Sequence, residues 1–315
     1  MSPRMPQVVV LSGGVGGARF VRGLVEVVPP ADVTVVGNVG DDVEVLGLHV
    51  SPDLDSLVYT LADLHDEERG WGRRDETWNA LGTAKELGDE ETWFQLGDRD
   101  IGLHLVRTKA LRAGEPLSAV TARIAASLGV GIRLLPATDD RLRTIVETAA
   151  GAFSLQDWFV RRRHRDVAEG VRFDGAGRAG PAPGVLQAIE RASAVVIAPS
   201  NPYISIRPIL AVREIRRAVE GTAAPVVAVS PVIGGKAVKG PADAMLTALA
   251  GGTTPAHVAG CYEGLLDALV LDEADAGGAA EVEALGIRTC VTRTLMSDPP
   301  AARELARATL EAARP

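Results

Sequence analysis

The chain of 315 residues is long enough for one large α/β domain or two smaller ones, and for a sizeable core. Its formal net charge of −8 argues against a nucleic-acid backbone as partner. Two distant cysteines, Cys261 and Cys290, argue for a reducing compartment and against a zinc site. The apolar run Val8–Leu11 stops at glycine, too short for a signal-peptide core or a membrane span, so a soluble, cytoplasmic protein without a membrane partner is expected.

The β-branched strand Val8-Val9-Val10-Leu11 runs at once into Ser12-Gly13-Gly14-Val15-Gly16-Gly17-Ala18-Arg19 and then into the helical pattern Phe20–Val25. Glycines let a backbone approach a ligand, and the helix start behind them offers free N–H groups to an anion, so a phosphate-bearing ligand is the natural reading. The spacing is neither of the standard ones: Arg19 stands where G-x-G-x-x-G has its last glycine, and no Gly-Lys-Ser/Thr follows. A turn that merely packs tightly is the alternative. Asp32–Val36 is the second strand, so a βαβ start on a parallel sheet is expected. Its turn, Gly37-Asn38-Val39-Gly40-Asp41-Asp42, carries two carboxylates. Ser51-Pro52-Asp53-Leu54-Asp55 then opens a helix that continues through Leu61, with Ser51 as N-cap and acids in the first turn.

From Glu67 the pattern turns mostly helical until the β-run Ile132–Leu135. This predicts a single α/β domain over 1–315 with a mainly helical insertion at about 67–130. Trp71, Trp78, Trp93 and Phe94 all fall in this insertion, in a chain poor in aromatics. They make either a satellite core under a lid or a platform for a flat ring. Leu142–Ala149 reads as a strand, Phe153–Val160 as a short helix, Arg161–Arg165 as a solvated helix end and Gly175–Gly184 as a surface loop. The strand Ala194–Ala198 ends in Pro199-Ser200-Asn201-Pro202, with Ser205 capping the next helix. The strand Pro225–Val229 ends in the loop Ser230–Gly240, and Pro241 opens a helix. Ala268–Leu271 and Ile287–Val291 are the last strands, with a closing helix from about Ala301.

Four strand-end loops of ligand-holding type therefore fall on one rim, because open parallel sheets bind ligands outside the carboxyl ends of their strands. The glycine turn (Ser12, Gly13, Gly14, Gly16, Gly17, Arg19), Ser200, Asn201, Gly234, Gly235 and Lys236 are the candidate phosphate and nucleotide contacts, with Lys239 a further cation for a diphosphate. Asp41, Asp42 and Asp53 are candidate ligands of Mg²⁺, which takes hard oxygens and is shared between one or two carboxylates and substrate phosphates. Asp41, Asp53 and Asp55 are the candidate catalytic carboxylates in metal-assisted phosphoryl transfer. The alternative is that Asp53 and Asp55 only favour the helix dipole and that Asp41-Asp42 only fill a turn. The chain has no G-x-S-x-G elbow, and its five histidines show no ligand spacing, so each reads as structural or exposed.

Six motifs occur in order: Ser12–Ala18, Asn38–Asp42, Ser51–Asp55, Leu96-Gly97-Asp98-Arg99-Asp100, Pro199–Pro202 and Ser230–Gly235. With them the chain resembles, over essentially its whole length, the 2-phospho-L-lactate transferase family of coenzyme F-420 biosynthesis. Arg73-Arg74-Asp75-Glu76-Thr77-Trp78 looks most like the actinobacterial branch. The resemblance implies a Mg²⁺-dependent transferase with a Rossmann-like core, often a homodimer. It would move a three-carbon phospho-acid, enolpyruvyl or lactyl, from a guanosine diphospho donor to the ribityl hydroxyl of the deazaflavin FO and release GMP. It also implies deazaflavin contacts at Asp55 and at Gln95, where some relatives carry Lys; Trp78 and Trp93 would add ring surface. A related glycine-rich family of nucleotide-sugar-binding regulators is the alternative. Its second loop resembles Asp-Asp-Gly-Gly-Ser-Ser-Gly, whereas here Asp41-Asp42 leads into Val43-Glu44-Val45.

Overall fold

Runs of valine, isoleucine and leucine too short for helices are suited to a sheet buried on both faces. In the computed structural model, which describes residues 7–314, they form one. Its seven strands are β1 (Val8–Ser12), β2 (Val33–Gly37), β3 (Arg133–Pro136), β4 (Ala194–Ile197), β5 (Val226–Val229), β6 (Ala268–Asp272) and β7 (Arg288–Thr292). They lie in the order β7-β6-β5-β4-β1-β2-β3, with every neighbouring pair parallel. β1 is an interior strand, with Leu11 level with Val36 of β2 and Ile197 of β4, all fully buried. The first six strands follow the doubly wound order 3-2-1-4-5-6, so the winding reverses between β1 and β4. The loops after those two strands part there and leave a crevice. The expected Rossmann-like α/β class is the observed one.

Helix α1 (Gly14–Leu24) begins inside the glycine turn rather than after it. Between β2 and β3 come a small hairpin (Val43–Val45 with Leu48–Val50), α2 (Pro52–Leu61), α3 (Asn79–Glu86), α4 (Asp98–Arg112) and α5 (Leu117–Ser127). The hairpin gives no clear sequence signal, because its strands are only three residues each. Ser51 holds the N-cap position of α2, but its buried hydroxyl makes no hydrogen bond.

Between β3 and β4 the chain forms a three-stranded antiparallel sheet of Arg143–Thr148, Gly151–Ser154 and Gly170–Asp174. The expected helix over Phe153–Val160 is shortened at its start by this sheet. Phe153 and Ser154 pair with Val146 and Ile145, and the chain coils from Leu155 onward, with Asp157–Arg161 as a π-turn. The expected Ser205 cap is also corrected. Asn201 accepts from the N–H groups of Tyr203 and Ile204 and so opens a π-turn, Pro202–Ile206, that contains Ser205. π-turns in short stretches commonly mark functional sites, and both of these border the crevice. Among the described residues no helix is long and apolar enough to cross a membrane.

Candidate active site

The crevice is a cavity of about 690 Å³ at the carboxyl ends of the strands. Its floor is the glycine turn. Gly13 is the N-cap of α1, and Gly14 has φ +69, a conformation glycine adopts without strain. A Cβ on Gly13 would lie 2.8 Å from Ser205 Cβ and collide outright with the Asp53 carboxylate. The turn is therefore glycine so that the first turn of α2 can press a carboxylate against it. Ser200 pins the turn from β4's side: its hydroxyl donates to Gly13 O at 2.7 Å and lies 3.4 Å from Gly13 N.

Asn38 holds three loops together. Its amide nitrogen donates to Asp53 Oδ2 at 2.8 Å and to Ile204 O at 3.1 Å, while its oxygen accepts from Gly40 N at 2.8 Å. Asp41 Oδ2 accepts the Asp53 backbone N–H at 3.0 Å, so both carboxylates, each more than nine-tenths buried, sit at one end of the cavity. Burial, then the charges of Asp53 and Asp42, raises the Asp41 carboxyl well above its ordinary value. Burial pushes Asp53 up to about 6, against the pull of the Asn38 amide and the Gly14 N–H. Two neighbouring acids that both resist ionisation are a donor set short of a cation. Among the described residues, no cluster of three or more His, Cys, Asp or Glu side chains is arranged to hold a metal by itself. One or two carboxylates completed by substrate phosphate is the habit of Mg²⁺, and Asp41 with Asp53 fits it. Asp42 stands outside the pair: its Oδ2 meets His49 Nε2 at 2.9 Å, and it lines a second, smaller cavity with Arg143 and Thr144.

A polar strip forms another part of the wall. Arg107, 1% exposed, grips both oxygens of Asp55, with Nη1 at 2.9 Å from Oδ2 and Nη2 on Oδ1. It also donates to His104 Nδ1 at 3.2 Å. Burial lowers His104 to about 4, so its ring is neutral and accepts that bond. One turn along α2, the Tyr59 hydroxyl donates to Asp100 Oδ1 at 2.6 Å, and burial raises Asp100 to about 6. Asp55, Tyr59, Asp100 and His104 all face the cavity. Asp100, His104 and Arg107 share one face of α4 by their i, i+4, i+7 spacing, a signal the motif reading did not use.

Of the other expected residues, Gly14, Gly16, Arg19, Ser200 and Asn201 line the cavity, while Ser12 and Gly17 are buried behind the turn. Gly234 and Gly235 donate their N–H groups to Asp275 at 2.8 and 3.1 Å, and Lys236 is exposed at the hairpin tip; none of the three lines the cavity. Gln95 does line it. Trp78 and Trp93 stand one layer back, edge-on to Trp71 and Phe94 at centroid distances of 6.4 and 5.7 Å. The rings that reach the cavity are Trp71, Phe94, Tyr59 and Phe159. The sequence reading did not single out Phe159, whose place on the wall comes from the π-turn.

The sequence profile described as 2-phospho-L-lactate transferase CofD matches residues 8–285. The chain belongs to that family. It is 47% identical over 312 residues to the phosphoenolpyruvate transferase of Streptomyces griseus, covering 98% of each chain. It is 40% identical over 326 residues to the phosphoenolpyruvate transferase of Mycobacterium bovis, covering 96% of this chain and 97% of the relative. The crystal structure of protein BH3568 from Bacillus halodurans superposes with a TM-score of 0.69 at 19% identity, over 98% of this chain and all of the other, a likeness of fold alone. In this transferase the cavity wall continues past the matched region to Thr294–Ser297, after β7. Asp272 at the end of β6 fixes that loop by accepting from Thr294 N at 2.7 Å and Thr294 Oγ1 at 3.0 Å.

Two expectations follow. Arg107→Met strands the buried Asp55 charge, so urea unfolding should show a loss of about 3–5 kcal/mol, and Asp55→Asn added to it should recover part of the loss. Asp100 binds its proton more tightly folded than unfolded, so it costs the fold stability as pH rises from about 4 to about 6. Unfolding midpoints of Asp100→Asn and the unaltered protein across that range should diverge in favour of the variant as pH rises.

Proposed function

We propose that this transferase moves a phosphoenolpyruvyl group from a guanosine diphospho donor to the ribityl hydroxyl of the deazaflavin FO, releasing GMP, with Mg²⁺ as cofactor. The observation that carries this reading is the meeting, in one cavity, of the α1 N-terminus, the Asp41–Asp53 pair and the cations Arg19 and Lys239 at the switch point. Their chemistry suits a diphosphate and its metal. The names of the relatives supply the enolpyruvyl group, and the resemblance to the F-420 pathway family supplies the acceptor. A cytoplasmic homodimer belongs to the same reading on the resemblance alone.

Bound at Asp41 and Asp53, the metal would supply positive charge against the phosphate oxygens. The protein does the rest by placement. The N–H groups at the start of α1, with Arg19, hold the diphosphate end of the donor. Phe94, Phe159 and Trp71 give the flat acceptor apolar surface, and Gln95 and Asp100 give its polar edge hydrogen-bond partners. The ribityl oxygen forms its bond to the phosphorus bearing the enolpyruvyl group as the anhydride bond to GMP breaks, and the hydroxyl proton is lost. Asp55 is poorly placed to take that proton, because Arg107 already occupies both of its oxygens.

Mass spectrometry of parallel reactions with FO, Mg²⁺ and each donor tests the reading, because the enolpyruvyl and lactyl products differ by two hydrogens. The dehydro product and GMP are expected, with turnover lost in EDTA and cut about a hundredfold or more by Asp53→Asn. Turnover of the lactyl donor alone would overturn the donor assignment, and unchanged turnover in EDTA would overturn the metal.

A further inference from the structure

Residues 66–78 form a flap beside the cavity mouth, folded around Arg69. The Arg69 guanidinium donates to Asp66 Oδ2 at 2.8 Å and to Arg73 O at 2.6 Å, and it lies 5.3 and 5.1 Å from the ring centroids of Trp71 and Trp78. Gly70, Trp71 and Gly72 of this flap form part of the cavity wall. Across the mouth, Lys239 from the loop after β5 reaches over and donates to Gly70 O at 2.6 Å, with Arg69 O at 3.4 Å. Gly70 has φ +70, a conformation that favours glycine, and its bare Cα lets the Lys239 ammonium come close.

Lys239 has a second neighbour of its own sign. It and Arg19 both line the cavity, and neither forms an ion pair among the described residues. Partial burial and the Arg19 charge depress the Lys239 ammonium. His65, at the root of the flap, is depressed by burial and by the same two cations, and both its ring nitrogens are buried without a partner. A cavity that gathers two unpaired cations beside a helix N-terminus is short of an anion, and until one arrives the cations repel each other.

We propose that Lys239 is a phosphate-operated latch: a diphosphate seated on Arg19 and the α1 N-terminus binds the remaining N–H of the Lys239 ammonium and so clamps the flap through the Gly70 carbonyl. An ammonium has three donors, so it can keep the flap carbonyls and hold phosphate at once. The anion removes the repulsion that loosens the latch when the site is empty. Binding of the donor thereby completes the Trp71 wall, so the flat acceptor meets a finished pocket only after the donor is in place. This rests on the reading above for the identities of the anion and of the flat acceptor, not for the site.

Hydrogen exchange of the flap tests it, with the full chain, Mg²⁺ and either GDP or inorganic pyrophosphate as the probe. In the unaltered protein both probes should slow amide exchange across 66–78. In Lys239→Met, a loop substitution outside the core, both should bind roughly tenfold more weakly. Even at saturation they should leave flap exchange as fast as without ligand. Unchanged affinity in the variant, or full flap protection at saturation, overturns the latch, as does binding of both probes to the unaltered protein without slower exchange. Protection by pyrophosphate but not by GDP keeps the latch and overturns the guanosine donor.

Discussion

The site depends on one amide. Asn38 joins the turn after β2, the first turn of α2 and the π-turn after β4, three segments far apart in the chain. A buried side-chain amide that satisfies partners on three loops fixes their spacing more firmly than packing does, since any slip leaves an unpaired polar group out of water. Its consequence is the contact between the Asp53 carboxylate and Gly13, which places negative charge against the N-terminus of α1. The helix dipole and the Gly14 N–H favour that charge, while burial opposes it, and burial wins. The protein therefore holds two acids in a state that a divalent cation relieves.

The same logic of imbalance runs across the cavity. Among the described residues, the carboxylates at one end have no cation partner, and Arg19 and Lys239 at the mouth form no ion pair. A metal-bound diphosphate carries both missing charges in one molecule. The wall formed by Asp55, Arg107 and His104 is by contrast internally balanced, with Arg107 neutralising Asp55 in a bidentate pair and His104 neutral. Such a strip presents hydrogen-bonding edges without net charge, which suits a neutral heteroaromatic ring more than a phosphate.

Much of this was legible in the sequence. Most strands of the sheet are short apolar runs rich in β-branched residues and bounded by turn residues, and such runs declare themselves. The Gly13–Asp41–Asp53 constellation was legible because each member closes a recognisable strand-end turn or helix start. What stayed hidden depended on tertiary choice. Phe153–Val160 has helical composition, yet Phe153 gains more by pairing opposite Val146, and the leftover residues coil into the π-turn that aims Phe159 inward. Trp78 and Trp93 were singled out by chemistry, but Arg69 and Arg161 hold them one layer behind Trp71 and Phe94. Gly234 and Gly235 looked like a phosphate cradle because nothing local reveals that Asp275, distant in sequence, takes their N–H groups.

The central claim is that Asp41 and Asp53 hold the cation that the donor's phosphates complete. Calorimetric titration of GDP into the protein, with and without Mg²⁺, tests it without any need for the acceptor or for turnover. Mg²⁺ should tighten GDP binding strongly in the unaltered protein and do little in Asp53→Asn, whose metal-free GDP affinity should stay near that of the unaltered protein. An equal gain from Mg²⁺ in both proteins would place the cation elsewhere and contradict the account.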